Sequence, residues 1–270
     1  SPSGVGEGDV ATQEGKEVPV SSNIGVIDSS TSALQSVFKK LQLSSHGVTT
    51  DALTDAFGWA GSDAFLQQDA QEMMGKLLER LEASSVGSAV DGFVQKTFRG
   101  KLRNFIKCTD VQVESNTDEE FYHVQLDVLG CTDIYESFRK YVRTEKLDGE
   151  NKYDAGEYGK QNAEKGCIFL NLPPVLTIVL KRFEFNMERM RFVKVHDNHM
   201  FPTELNLDEF VVQENANANT HDNDYVLHSV LVHSGDVGAG HYYAYIRPSY
   251  SIEEGANEEV GWNWVKAATV

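Results

Sequence analysis

The order of hydrophobic periodicities along the chain predicts an α+β domain, with helices first and strands later. Ala33, Leu34, Val37, Phe38 and Leu41 recur at helical spacing, whereas Val124, Leu126 and Val128 alternate with Gln125 and Asp127 in strand fashion. A glycine-rich connection, Ser234–Gly240, then separates two late strands, as a hairpin does.

The elements follow in order. Ser1–Ser30 mixes Gly, Ser, Glu and Val without a period and reads as a flexible lead-in. The first helix covers Ala33–Leu41, with Ser30 or Thr31 available as its cap. A longer helix follows Ser62, because Phe65, Leu66, Ala70, Met73, Met74, Leu77, Leu78 and Leu81 make a wide apolar stripe. Asp69, Glu72 and Lys76 share its polar side, where a solvated face is the ordinary reading. After about Gly92 the period turns toward strands, and Phe98, Phe105, Phe121 and Tyr122 read as core aromatics. Ile134–Leu147 returns to a helical pattern, with Tyr135, Phe138, Tyr141 and Val142 on one side. Leu176–Leu180, between Pro174 and Arg182, reads as a buried strand, and Val226–Val232 and Tyr242–Ile246 as two more. Asn215–Asp224 is a polar, Asn-rich surface loop. No internal repeat occurs.

Composition narrows the function classes. A chain of 270 residues suits one large domain or two small ones. Chains of that size bury roughly three-quarters of their unfolded surface, so no disulfide or metal staple is required. Hydrophobic residues at 40% and aromatics at 10% exclude a disordered or collagen-like chain. Lys plus Arg number 24 against 41 Asp plus Glu, a net charge of −17 that repels phosphate backbones and anionic lipid. Nucleic acid and membranes are therefore not expected as partners, and a basic surface or tail is. The best apolar run, Ile168–Leu180, is broken by Asn171, Pro173 and Pro174 and falls short of the roughly 18 residues of a membrane span. Three cysteines, Cys108, Cys131 and Cys167, form neither a disulfide framework nor a C-x-x-C pair. They fit a reducing compartment, nuclear or cytoplasmic. Residue 1 is Ser, the first residues lack the features of a signal peptide, and the last six, Val265–Val270, carry no polar tail; a fragment of something longer is the expectation.

The sharpest chemical candidate is His241 in the stretch GAGHYYAY, at the first residue of a strand behind a glycine-rich turn. A general base belongs there, held by the sheet and open to a cleft that backbone can approach through Gly238 and Gly240. A half-buried His hydrogen-bonded across the hairpin would look the same. His196 and His199 sit three apart and would bind metal together on a helix, but Pro202 and the local polarity indicate a loop. A metal-dependent hydrolase built on His196, His199 and His233 ranks last, and no metal or other cofactor is expected. The sequence has no H-E-x-x-H, P-loop, G-x-S-x-G or dinucleotide fingerprint. Lys181, Arg182 and Phe183 at a strand end are either an edge or a recognition point.

Five stretches taken together resemble the catalytic domain of the ubiquitin-specific proteases, cysteine peptidases that cut after the C-terminal glycine of ubiquitin. They are Gly58–Glu72 (GWAGSDAFLQQDAQE), Phe98–Lys101 (FRGK), Lys152–Gly159 (KYDAGEYG), Leu172–Leu176 (LPPVL) with Leu180–Phe183 (LKRF), and His233–Tyr242 (HSGDVGAGHY). The likeness runs from about Ala33 to Pro248. It is nearest to the herpesvirus-associated ubiquitin-specific protease subgroup, on the YDAGE and LDEF (Leu207–Phe210) segments. The resemblance implies a papain-like right hand, incomplete at both ends, over residues 31–270. Thumb helices would cover about 31–85, and fingers and palm about 92–270, behind a lead-in of residues 1–30. It implies ubiquitin and ubiquitinated proteins as partners. Asp69, Gln71 and Glu72 would face ubiquitin's arginine-bearing tail, where carboxylates form charge-assisted pairs. Tyr122, Gln125, Arg182, Phe183, His233 and Tyr242 would line the tail channel, and His241 would be the general base for a thiol attacking the isopeptide carbonyl.

Two parts of the family pattern are missing. The family carries its nucleophile in a Gly-x-x-Cys-Tyr/Phe-x-Asn-Ser box at a helix N-terminus, which lowers the thiol pKa. None of Cys108, Cys131 and Cys167 has that context. An oxyanion-hole Asn goes with the box, and such a donor is worth roughly 2.7–4 kcal/mol. The Asp that orients the imidazole, in a Trp-x-x-Phe-Asp stretch, has no counterpart in Trp262–Val270 (WNWVKAATV). The expectation is a fragment of a thiol-dependent deubiquitinase, inactive alone. The alternative is a non-catalytic protein that binds ubiquitin without cutting it.

Overall fold

The computed structural model describes residues 29–58, 69–212, 223–247 and 265–267. Most of the expected lead-in, Phe65, Leu66 and Gln67 of the second helix, nearly all of the Asn-rich loop, and Trp262–Trp264 lie outside the described residues. The described residues form an α+β architecture. Its helical part contains α1 (Ser29–Leu43), α2 (Asp51–Ala56), α3 (Ala70–Ser85) and α4 (Phe93–Phe98).

Ser30 and Thr31 are not caps. The first turn already includes them, and their hydroxyls hold the helices together. Ser30 is fully buried, donates to the Ala56 carbonyl at 3.2 Å and receives a bond from Arg80 of α3, while Thr31 meets Ser84 at 2.8 Å. A buried hydroxyl must find partners, and these point α1 at α3. The same packing leaves Phe38 and Leu41 exposed, although they share the stripe with half-buried Ala33, Leu34 and Val37. Asp69 does not lie on the polar side within a helix, where the apolar stripe from Phe65 puts it. Its backbone is extended and it is the N-cap of α3, accepting from the amides of Gln71 at 2.7 Å and Glu72 at 3.4 Å, because a carboxylate satisfies the open first-turn amides.

An antiparallel four-stranded sheet follows, in the order β2 (Glu114–Phe121), β1 (Gly100–Cys108), β7 (Ala163–Asn171), β4 (Glu145–Leu147). Gly100 opposes Phe121, and a Cβ there would collide with the phenylalanine ring, so the FRGK segment needs its glycine at that crossing. Beside this sheet, β3 (Val124–Asp127) runs parallel to β8 (Ile178–Lys181). The expected alternation holds: Val124 and Leu126 are buried, Gln125 and Asp127 are not. The expected strand at Leu176–Leu180 starts two residues later, at Ile178, and runs to Lys181, with the Thr177 carbonyl already accepting from the Val124 amide.

Helix α5 (Ile134–Tyr141) lies on β3, capped by the Asp133 carboxylate at the Glu136 amide, 2.9 Å away. It stops well before Leu147. Lys146 and Leu147 pair with β7, so the helical pattern over Ile134–Leu147 conceals a change of element. The buried face of α5 anchors the core. Phe138 has no exposed surface, stacks on Phe210 at 5.2 Å and meets the Phe169 edge at 6.0 Å, with Leu126, Leu172 and Leu207 around it. Rings in these offset and edge-on arrangements add attraction beyond area burial. Leu207 and Phe210 of the LDEF segment enter the core through a short 3₁₀ turn.

Between β4 and β7, the YDAGEYG segment forms a tight hairpin of β5 (Tyr153–Asp154) and β6 (Lys160–Gln161). The remaining strands are β9 (Phe183–Asn186) with β10 (Arg191–Lys194), β11 (Glu204–Asn206) with β12 (Asp224–Val226), and β13 (Ser229–Asp236) with β14 (Ala239–Ile246) and β15 (Val265–Ala267). The expected single strand over Val226–Val232 is thus the end of one strand and the start of another. The glycine-rich connection is also mostly strand. Gly235 pairs with Gly240, and only Val237 and Gly238 (φ 79°) make the turn. His241 is therefore the third residue of β14, opposite Ser234, rather than the first residue after a loop. Glycines that suggest a loop in a sequence also permit two strands to pair closely.

Candidate functional site

Half of the expected site residues, Asp69, Gln125, Phe183, His233 and Tyr242, form one linked group at the ends of α3, β3, β9, β13 and β14. At one side, Asp69 heads α3, exposed, where the helix N-terminus stabilises its negative charge. Its field reaches His123, just before β3, and Tyr242 of β14. Burial pushes the His123 imidazole below its ordinary pKa, with Asp69 opposing, and burial together with Asp69 pushes the Tyr242 phenol up. Gln125 continues the wall from β3, its amide nitrogen 3.4 Å from Nε2 of His123.

The opposite wall is aromatic. Tyr242 faces His233 across the β13–β14 ladder, ring centroids 4.9 Å apart, and His233 meets Phe183 of β9 edge-on at 5.3 Å. Lys194 of β10 completes it. Its ammonium donates to Nδ1 of His233 at 2.9 Å and to the carbonyls of His233 and Gly235 at 3.0 and 2.8 Å. Burial, then Lys194, holds the His233 pKa below the ordinary histidine value. A Cβ on Gly240 would collide with the His233 imidazole and lie 2.5 Å from the Ser234 carbonyl, so a glycine is needed where this ring crosses the strand.

The other expected residues are placed differently. Tyr122 turns to α3 and donates to Glu82 at 2.5 Å; burial and that carboxylate push its phenol up to about 12. Glu72 pairs with Lys76 at 2.7 Å, one turn along α3, and Gln71 is half-buried behind it. Arg182 donates to the carbonyls of Val195 and Asp197 at 3.1 and 2.9 Å, fastening the strand end that presents Phe183. His241 is exposed, and because successive strand residues alternate faces, it lies on the hairpin face opposite His233 and Tyr242.

Cys108 and Cys131 are buried, and half-buried Cys167 directs its thiol at the Tyr141 carbonyl, 3.5 Å away, with burial pushing its pKa up. A buried, neutral thiol is a poor nucleophile. His199 is also committed elsewhere, buried with Nε2 2.8 Å from the Ser137 hydroxyl, while His196 is exposed. Among the described residues, no three His, Cys, Asp or Glu side chains converge as metal ligands. No described helix is long and apolar enough to cross a membrane.

Sequence reasoning missed His123 and Lys194. His123 adjoins the strand signal at Val124, and Lys194 ends a short run of alternating polarity, but neither pattern points to a cleft. Chemically, the site offers a carboxylate at one end and, at the other, an aromatic wall braced by the Lys194 ammonium beside a strand position without a side chain. That suits an extended, glycine-bearing chain that carries a cation.

The family model described as ubiquitin carboxyl-terminal hydrolase matches residues 10–268. Ubiquitin C-terminal hydrolase 12 of Arabidopsis thaliana is 48% identical over 81% of this chain and 20% of its own length. Ubiquitin carboxyl-terminal hydrolase 7 of Drosophila melanogaster is 44% identical over 80% of this chain and 19% of its own. Ubiquitin carboxyl-terminal hydrolase 15 of Schizosaccharomyces pombe is 42% identical over 82% and 19%. The chain spans about 20% of the length of these relatives. With a match over nearly its whole length and an α+β arrangement of the papain-like type, the chain belongs to the ubiquitin carboxyl-terminal hydrolase family.

Proposed function

We propose that residues 31–270 form the ubiquitin-holding and base-bearing part of a thiol-dependent deubiquitinase that hydrolyses isopeptide bonds to ubiquitin. The observation that carries this reading is the linked group of Asp69, Gln125, Phe183, His233 and Tyr242, drawn from separate elements. Asp69, assisted by Gln71 and Glu72, takes the tail's arginines. Phe183, His233 and Tyr242 guide its glycines over Gly240, Arg182 stiffens that wall, and Tyr122 steadies the thumb through Glu82. His241 is the general base, and its thiol partner is none of Cys108, Cys131 and Cys167, so the 270 residues alone do not turn over conjugates. Burial of two of these thiols and the engagement of the third favour that view. The YDAGE and LDEF segments favour the herpesvirus-associated subgroup. Unpaired thiols among the described residues suit the nucleus or cytoplasm, and the residues ahead of α1 serve as a lead-in.

A second reading, a ubiquitin binder that never cuts, is favoured by one observation. The strand beside β14 carries Lys266 and Ala267, followed by Ala268 and Thr269, where the family pattern has an acidic residue.

The experiment is reaction of the chain with ubiquitin bearing a C-terminal electrophile, read by intact mass. Binding without an adduct is expected, and a stoichiometric adduct on any of the three cysteines overturns the assignment. Joining a Gly-x-x-Cys box segment from a relative should then restore cleavage, and His241→Ala should abolish it. Failure of every such chimera to cleave, with ubiquitin still bound, selects the second reading.

A further inference from the structure

Lys194 lies in no motif of the sequence, yet all three of its ammonium protons are used on one neighbour, the β13 turn around His233. An ammonium group has donors only, so the 2.9 Å contact with Nδ1 requires that nitrogen to accept. The proton of a neutral imidazole is then on Nε2. That side of the ring is the one lying over Gly240, where a Cβ would strike both Nε2 and Cε1.

We propose that Lys194 is a positioning residue that clamps His233 as a neutral Nε2–H donor over Gly240, ready to meet a carbonyl of an extended chain in the cleft. Three observations converge on it. The two additional bonds to the carbonyls of His233 and Gly235 fix the ammonium from β10, so it does not follow the imidazole if the ring turns. Phe183 and Tyr242 bracket the ring edge-on from two other strands, at 5.3 and 4.9 Å, which limits its rotation. Lys194 also lies 5.8 Å from the Phe183 ring centre, on a face that attracts a cation. The groups facing His233 are thus Lys194 from β10, the Tyr242 phenol from β14 and the uncharged Phe183 from β9. Asp69 acts on Tyr242 and His123, and among the described residues only Lys194 acts on His233 by charge. A second proton on the ring would have to displace the ammonium from Nδ1, so the clamp opposes protonation of His233.

The tautomer itself stands independently of the ubiquitin-tail reading; the identity of the carbonyl rests on it. The test is nitrogen-resolved NMR of the 15N-histidine-labelled chain through a pH titration, without ubiquitin. The expected result is a His233 ring protonated at Nε2 and accepting at Nδ1, with a midpoint below that of an exposed histidine. Lys194→Met should raise the proton affinity of His233, and Lys194→Arg, which keeps charge and donor, should restore much of the difference. A proton on Nδ1 in the unaltered chain overturns the proposal even if every variant misfolds. So does a Lys194→Met chain that folds and leaves the His233 midpoint unchanged, since a merely structural clamp would behave that way. Ubiquitin affinity, measured separately on the same variants, reports on the tail reading alone. A confirmed tautomer with no ubiquitin binding would sink that reading and leave the clamp standing.

Discussion

Asp69 carries two separable duties, and two substitutions divide them. As N-cap of α3 it accepts from the Gln71 and Glu72 amides, and as an exposed carboxylate it sets the charge at the cleft entrance. Asp69→Asn keeps a good cap and removes the charge; Asp69→Ala removes both. Losing the cap costs about 1 kcal/mol, which for a domain of this size lowers the melting temperature by roughly 2–4 °C. Losing the charge against a tail arginine that becomes partly desolvated on binding costs about 1–2 kcal/mol, or roughly five- to thirtyfold in Kd. Calorimetry should therefore find Asp69→Asn close to the unaltered chain in melting temperature but weaker for ubiquitin by that factor. Asp69→Ala should lose both, and the binding difference should shrink at high salt as screening sets in. The field of Asp69 gives an internal control. Because that charge raises both groups, removing it should lower the His123 and Tyr242 midpoints, visible by NMR. An Asp69→Asn chain that binds ubiquitin as tightly as its parent refutes the tail assignment. One whose His123 does not move refutes the geometry.

Gly240→Ala should destabilise the hairpin, because its Cβ meets both an imidazole clamped by Lys194 and a ladder carbonyl that cannot withdraw. Overpacking of this kind costs about 1–3 kcal/mol, and urea unfolding that matches the parent would count against the close approach. Asp118, exposed on β2, is held down at about 2, first by its bond to Arg103 and then by Lys101. Its folded-state pKa is depressed, so its small stabilising contribution is present above the unfolded value of about 3.8 and disappears as pH falls through about 2. In Arg103→Ala the carboxyl midpoint should climb part of the way toward 3.8, read by carboxyl carbon NMR, and an unmoved midpoint would refute the pairing.

Periodicity alone carried the α+β class, and local chemistry carried what depends on neighbours in the chain. The alternation Val124, Gln125, Leu126, Asp127 became a half-buried strand as expected, since side-chain direction within a strand is a property of the backbone. Asp69 is a residue type that caps helices, but the apolar stripe from Phe65 hid this by making it read as a position inside the helix. What failed were element ends and the glycine-rich connection. The change from α5 to β4 cannot be seen in Ile134–Leu147 because the pairing that makes Lys146 and Leu147 a strand comes from β7, about twenty residues farther along. Ser234–Gly240 read as loop because glycine is equally at home where two strands pair closely. The site residues that the family likeness named were individually visible in the sequence, but their grouping was not. Only tertiary packing decided that Tyr122 turns to Glu82 while Tyr242 turns to His233, and that Arg182 secures backbone carbonyls rather than opening to the cleft. Lys194 was legible only as a charge on a short strand. Its role arises from three acceptors on another hairpin, and hydrogen-bond direction over such a distance in sequence is set by the fold.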